Sequence, residues 1–171
     1  MNRNKKIAIL SHCIINQHSV VVGEYRDMNI FLPFVEKLIK DNIGIIQLPC
    51  PETDCYGLRR WGHVREQFDN CGFRKYANNI LNDFANLILE YIKNDYEIIG
   101  VFGIAGSPSC GVNLTCSANW AGEVSCYKDK EDIVSRVKMI EDSGLFMEIF
   151  KNILKEKNID IPFYDVDDYL K

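Results

Sequence analysis

Three short apolar runs constrain this chain more than any other feature of it. They are Lys6-Ile-Ala-Ile-Leu-Ser-His-Cys13, Asn42-Ile-Gly-Ile-Ile-Gln-Leu48 and Glu97-Ile-Ile-Gly-Val-Phe-Gly-Ile104. A strand that is apolar at successive positions has to be covered on both faces, which is the condition of a strand inside a parallel sheet. Between the runs, apolar residues recur at helical spacing. Phe31, Phe34, Val35 and Leu38 form one set, with Pro33 tolerable only in a first turn. The clearest set predicts a helix from about Arg74 to Asn94, with Ala77, Ile80, Leu81, Phe84, Ile88 and Tyr91 on one face and Asn78, Asn82 and Asn86 on another. Phe146, Ile149, Phe150 and Ile153 mark a further helix, and Ile161 to Asp165 a last short strand. Strands alternating with helices imply right-handed parallel crossovers. The expected fold is α/β, a three-layer Rossmann-like sandwich with a mainly parallel sheet of four or five strands, in one domain over residues 1–171. The glycines of the third run are expected to bring it close against a helix. Ile14 to Asp27, Glu52 to Gly72 and the stretch up to about Glu131 read as irregular.

Composition closes off several function classes. Of the 171 residues, 47% are hydrophobic and 26% charged, which excludes a disordered chain. The net charge of -4 gives no bulk attraction to nucleic acid or an anionic membrane. The basic start Met1 to Lys6 precedes an apolar run, Ile7 to Leu10, too short for a secretion signal, and no run is long enough to span a bilayer. A cytoplasmic protein without nucleic-acid or membrane partners is expected, as monomer or homodimer.

Seven cysteines are therefore unlike a disulfide framework, and the number is odd. Ligands of open parallel sheets bind beyond the carboxyl ends of the strands. Cys13, Cys50 and Cys110 each follow one of the three apolar runs, so folding is expected to gather them on one rim. Three convergent thiolates can hold a soft metal or an iron–sulfur cluster with one position left open. The other reading is buried thiols acting as small hydrophobes. Cys50 lies in Pro49-Cys-Pro-Glu52, and Cys110 in Ser107-Pro-Ser-Cys-Gly111. A carboxylate and hydroxyls beside a metal suit acid–base work on a substrate, although Glu52, Ser107 and Ser109 are also ordinary turn caps. A cysteine-nucleophile phosphatase would need C-x5-R after the first strand, and position 19 is serine. No G-x-G-x-x-G or P-loop is present, which disfavours a nucleotide cofactor.

Ser-His-Cys13, Pro-Cys50-Pro-Glu52 and Gly-Ser107-Pro-Ser-Cys110-Gly, in this order, resemble the thiouracil desulfurase family and its desulfidase relatives. The stretch Gly57-Leu-Arg-Arg-Trp-Gly-His63 is similar to that of the relatives. The resemblance implies a 4Fe-4S cluster held by Cys13, Cys50 and Cys110, with a free iron for the sulfur of a thiolated small molecule. It implies Glu52 as proton carrier and Ser107 as a polar group near that iron. The reaction so implied is a non-redox desulfidation with an unidentified sulfide acceptor. The alternatives are a non-catalytic iron–sulfur or sulfide-handling protein and a cysteine-nucleophile hydrolase.

Around this set, Asn16, Ser109, Trp61 and His63 are candidate substrate-binding residues. Arg59, Arg60, Trp61, His63 and Arg65 can serve an anionic or planar substrate, or form a solvated loop with Trp61 anchored in the core. His12, His18 and His63 are read first as structural, and Cys116 as a buried thiol able to reach the same rim. Asn113 and Asn119 are weaker candidates.

Overall fold

The computed structural model describes residues 3–169, so Met1 and Asn2 of the basic start lie outside the described residues. In chain order the main elements are β1 (Lys6–Leu10), α1 (His12–Ile15), α2 (Leu32–Lys40), β2 (Gly44–Gln47), α3 (Pro51–Tyr56), α4 (Arg65–Phe68) and α5 (Cys71–Lys93). They continue as β3 (Glu97–Gly103), β4 (Thr115–Ser117), α6 (Lys130–Ser135), β5 (Lys138–Ile140), α7 (Leu145–Glu156) and β6 (Phe163–Asp165). Four strands form a parallel sheet in the order β2-β1-β3-β6. The expected α/β sandwich is what forms, and β4 and β5 add a separate antiparallel pair.

β1 shows why its run carries no polar alternation. Ile7 and Ile9 pack into a core shared with α5 and α7, while Ala8 and Leu10 pack against Phe34 and Leu38 of α2 and Ile14 of α1. Both faces are covered, so successive residues are all apolar. Fully buried Phe102, Phe146 and Phe150 each contribute roughly 1.5–3 kcal/mol of transfer free energy to these two cores. Among the described residues no helix is long and apolar enough to cross a membrane.

Helix α5 begins at Cys71, three residues before the periodic pattern suggests. The Asn70 side chain accepts from the Phe73 N–H at 3.0 Å and so satisfies one of the open donors of the first turn. The cap, and not the first apolar contact, sets the start.

Several expectations need correction. The first run ends as strand at Leu10, and Cys13 sits in the first turn of α1. The stretches read as irregular contain α1, α3, α4 and β4. Each is only three to six residues long, too short to display a period. The side-chain space of the β3 glycines is closed by β6 and by the loop that follows β3, not by a helix. A Cβ at Gly100 would stand 2.8 Å from the Tyr164 ring of β6, and one at Gly103 would stand 2.2 Å from the Cys110 carbonyl oxygen. Gly103 is therefore what lets the loop after β3 fold back onto its own strand.

Candidate active site

The carboxyl ends of β1, β2 and β3 open into one cleft of about 490 Å³, lined by Cys13, Cys50, Cys110, Glu52, Ser107, Ser109 and His63 among others. β1 and β3 are neighbours whose chains leave toward opposite edges, to β2 and to β6. The cleft thus lies at the switch point where an open parallel sheet leaves room for a ligand.

Backbone hydrogen bonds fix each cysteine loop. The Leu48 N–H donates to the Leu10 carbonyl at 2.8 Å, joining the loops after β1 and β2. The same two loops are braced by His12, whose Nδ1–H donates to the Leu48 carbonyl at 3.2 Å while its Nε2 accepts from the Asn16 amide at 3.1 Å. A carbonyl can only accept, so this partner sets the tautomer. Gln17 donates to the Cys13 carbonyl at 2.6 Å. Around Cys110, the carbonyls of Pro108 and Ser109 accept from the Leu145 and Phe146 N–H groups, capping the start of α7 in place of a side chain. The buried Asp165 carboxylate at the end of β6 accepts from Val112 N–H at 2.8 Å and Asn113 N–H at 2.9 Å.

The thiols share one electrostatic environment. Burial pushes the Cys13 thiol up to about 12, and the charges of Cys50 and Glu52 push in the same direction. Burial raises Cys110 well above the ordinary thiol value, with Cys13, Cys50 and Glu52 adding to it and the Ser109 hydroxyl opposing it. Cys50 caps α3, and its sulfur accepts from the Thr53 hydroxyl at 3.3 Å. Among the described residues no group of three His, Cys, Asp or Glu side chains closes tightly enough for a metal ion.

Glu52 has both oxygens engaged. Oε1 accepts from the Ser109 hydroxyl at 2.7 Å and Oε2 from Arg60 Nε at 3.2 Å. Ser109 Oγ is 3.4 Å from the Cys110 sulfur, and Ser107 Oγ accepts from the Cys110 N–H at 3.0 Å. The carboxylate is thereby tied to the third thiol through one hydroxyl. Arg60, with a side chain 2% exposed, also donates to the carbonyls of Ser19 at 2.7 Å and Gly57 at 3.1 Å and to Thr53 Oγ1 at 3.3 Å. It holds Glu52 and leaves little for a substrate anion.

Two candidates do not reach the cleft. Asn16 is turned to His12 and to the His18 N–H, and Trp61 is 85% exposed. Trp61 is not a core anchor either. Ser109 is buried at the base, 1% exposed, under Glu52. His63 does line the cleft, its ring packed between Tyr56 and Phe68, and burial lowers its pKa. Its Nδ1 is buried without a hydrogen-bond partner. Arg65 turns away to the Ser143 carbonyl and Glu148, and Arg59 is exposed. Asn113 lines a second, more acidic cavity of about 640 Å³ that contains none of the thiols.

Other lining residues escape a reading by motif. Cys116 of β4 reaches the cleft wall and is also buried, with its thiol pushed up to about 11 by burial first and by Glu52, Glu66 and Glu24 after it. Glu24, Arg26, Trp120, Val134, Val137 and Met139 complete the mouth. The only sequence signal for the last three is their clustering within six residues.

The sequence model of a family described as "Putative 2-thiouracil desulfurase" matches residues 5–163 of the chain. An uncharacterized protein of Methanocaldococcus jannaschii is 41% identical over 110 residues, which are 64% of this chain and 70% of that one. No solved structure matches it.

Proposed function

The chain belongs to the putative 2-thiouracil desulfurase family, and from that premise we propose that it removes sulfur from a thiolated small molecule by hydrolysis at a 4Fe-4S cluster held by Cys13, Cys50 and Cys110. The observation that carries this reading is the gathering of three strand-end thiols with Glu52 in a single cleft. The donor set fits such a group. Ionisation of Cys13 and Cys110 is disfavoured by burial first and by neighbouring negative charge after it, and a cation among the three thiols would offset both. Bound there, the cluster supplies a Lewis-acidic iron with an open position suited to soft sulfur.

The protein's own groups manage the protons and the orientation. Water replaces sulfur at the thiocarbonyl carbon: a C–O bond forms, the C–S bond breaks, and hydrosulfide leaves with no electron transferred. Glu52 takes one proton of the attacking water and returns it to the departing sulfur, and the second water proton is released to solvent as the carbonyl forms. Arg60 and Ser109 fix the direction of its carboxylate, and Ser107 offers a hydroxyl at the cleft surface. His63 presents an uncharged ring to the same space, since its protonation is disfavoured there.

The test is Glu52→Gln, prepared anaerobically with iron and sulfide. Iron content should equal that of the parent protein, while sulfide release from 2-thiouracil should fall by about 10²–10⁴-fold, the usual contribution of a general acid–base group. Equal turnover in the variant would remove Glu52 from the mechanism. Loaded parent protein that releases no sulfide from any thiolated base would leave a non-catalytic cluster protein.

A further inference from the structure

The cleft has two chemically different walls. One carries the thiols, Glu52 and the Ser107 loop, and another is built from Trp120, Val134, Val137 and Met139. Trp120 and Val137 are anchored, packing on Val64, Cys116 and Ala118, with the Trp120 Nε1–H donating to the Ile133 carbonyl at 3.1 Å. Val134 and Met139 are not covered. They are 58% and 59% exposed although both face the cleft.

This wall adjoins the polar end directly. The Met139 thioether lies over Gly106, its Sδ and Cε 3.6 Å from where a Cβ would stand, and Gly106 precedes Ser107. The Gly106 N–H donates to the Leu114 carbonyl at 2.9 Å, and the Thr115 hydroxyl donates to the Ser107 carbonyl at 2.9 Å. β4 is thus clamped to the loop that carries Cys110, and β5 brings Met139 over it. The volume of about 490 Å³ falls in the ~300–1,000 Å³ range of sites that enclose molecules well above a bare six-membered ring.

We propose that Val134 and Met139 form a subsite for an apolar substituent, so that the substrate is a thiolated heterocycle carrying an alkyl or aryl group and not the bare base. This rests on the reading of the cleft as a desulfidase site and adds the substrate's second half. A substituent extending from the thiocarbonyl ring away from Glu52 covers two side chains that free protein leaves in water. Met suits the role because its unbranched thioether adapts to groups of different shape.

Affinity for uracil, 6-propyluracil, 2-thiouracil and 6-propyl-2-thiouracil tests the proposal, measured by calorimetry on the anaerobically loaded protein and on metal-free protein. The two oxygen compounds report the wall without help from sulfur. Each propyl compound should bind about tenfold or more tightly than its parent, because each of the three added carbons is worth several-fold when buried. Val134→Asp and Met139→Asp should abolish that advantage, read as the ratio of propyl to parent affinity within each variant. A propyl group that brings no gain, including the case where no compound binds, overturns the proposal, as does a gain that survives in both variants. Sulfide release without a propyl preference would sink the subsite alone. A propyl preference without sulfide release would sink the desulfidase reading alone.

Discussion

Arg60→Met isolates the interaction that positions Glu52. The substitution keeps most of the side-chain volume and removes the charge, together with donors now given to Glu52, Thr53 and the carbonyls of Ser19 and Gly57. Glu52, with a side chain 15% exposed, is left with Ser109 as its hydrogen-bond partner. Removing one partner of a buried pair strands the other charge and costs about 3–5 kcal/mol. For a chain of this length that lowers the thermal midpoint by roughly 6–20 °C. Circular dichroism during urea and thermal unfolding measures it. The neighbouring exposed Arg59→Met is the control and should stay within about 0.5 kcal/mol of the parent. Adding Glu52→Gln to Arg60→Met should recover about 1–3 kcal/mol of coupling. An Arg60→Met protein within about 1 kcal/mol of the parent, or a cycle with no coupling, would refute the claim that this ion pair holds the carboxylate.

Three further outcomes follow from the same geometry. Gly103→Ala forces a methyl against the Cys110 carbonyl and should cost at least about 1–3 kcal/mol in urea unfolding, with lower iron uptake after reconstitution. Burial lowers the His63 pKa from its usual 6.5, so the unfolded chain binds the proton more readily. The stability this contributes is complete above about pH 6.5 and is lost as pH falls toward the folded value, so His63→Phe should show a shallower fall in unfolding free energy between about pH 7 and 5. In metal-free protein at about pH 8, iodoacetamide should label the exposed Cys71 and Cys126 first and Cys13 and Cys110 last, read by peptide mass.

The sheet was legible because its central strands β1 and β3 are covered on both faces, as Ile7 to Leu10 demonstrate, and because α5 repeats its apolar face over six turns. The meeting of Cys13, Cys50 and Cys110 was legible for a related reason: parallel strands end on one side, so residues following them share a rim whatever their separation in sequence. The local pieces were not. α1, α3 and the β4–β5 pair are shorter than the periods that announce helices and strands. The Arg60–Glu52 pair joins residues eight apart in a segment without visible period, and only the folded loop brings them together. Trp61 illustrates the reverse. Its size suggested burial, yet open space surrounds the Gly62 that follows it, and the indole stands in solvent.

The central claim is that three thiols hold one cluster, and counting iron and sulfide per chain after anaerobic reconstitution addresses it most directly. About four of each are expected in the parent protein and in Cys116→Ala, with large losses in Cys13→Ala, Cys50→Ala and Cys110→Ala. No bound iron in the parent, or full loading in any of those three variants, would contradict it.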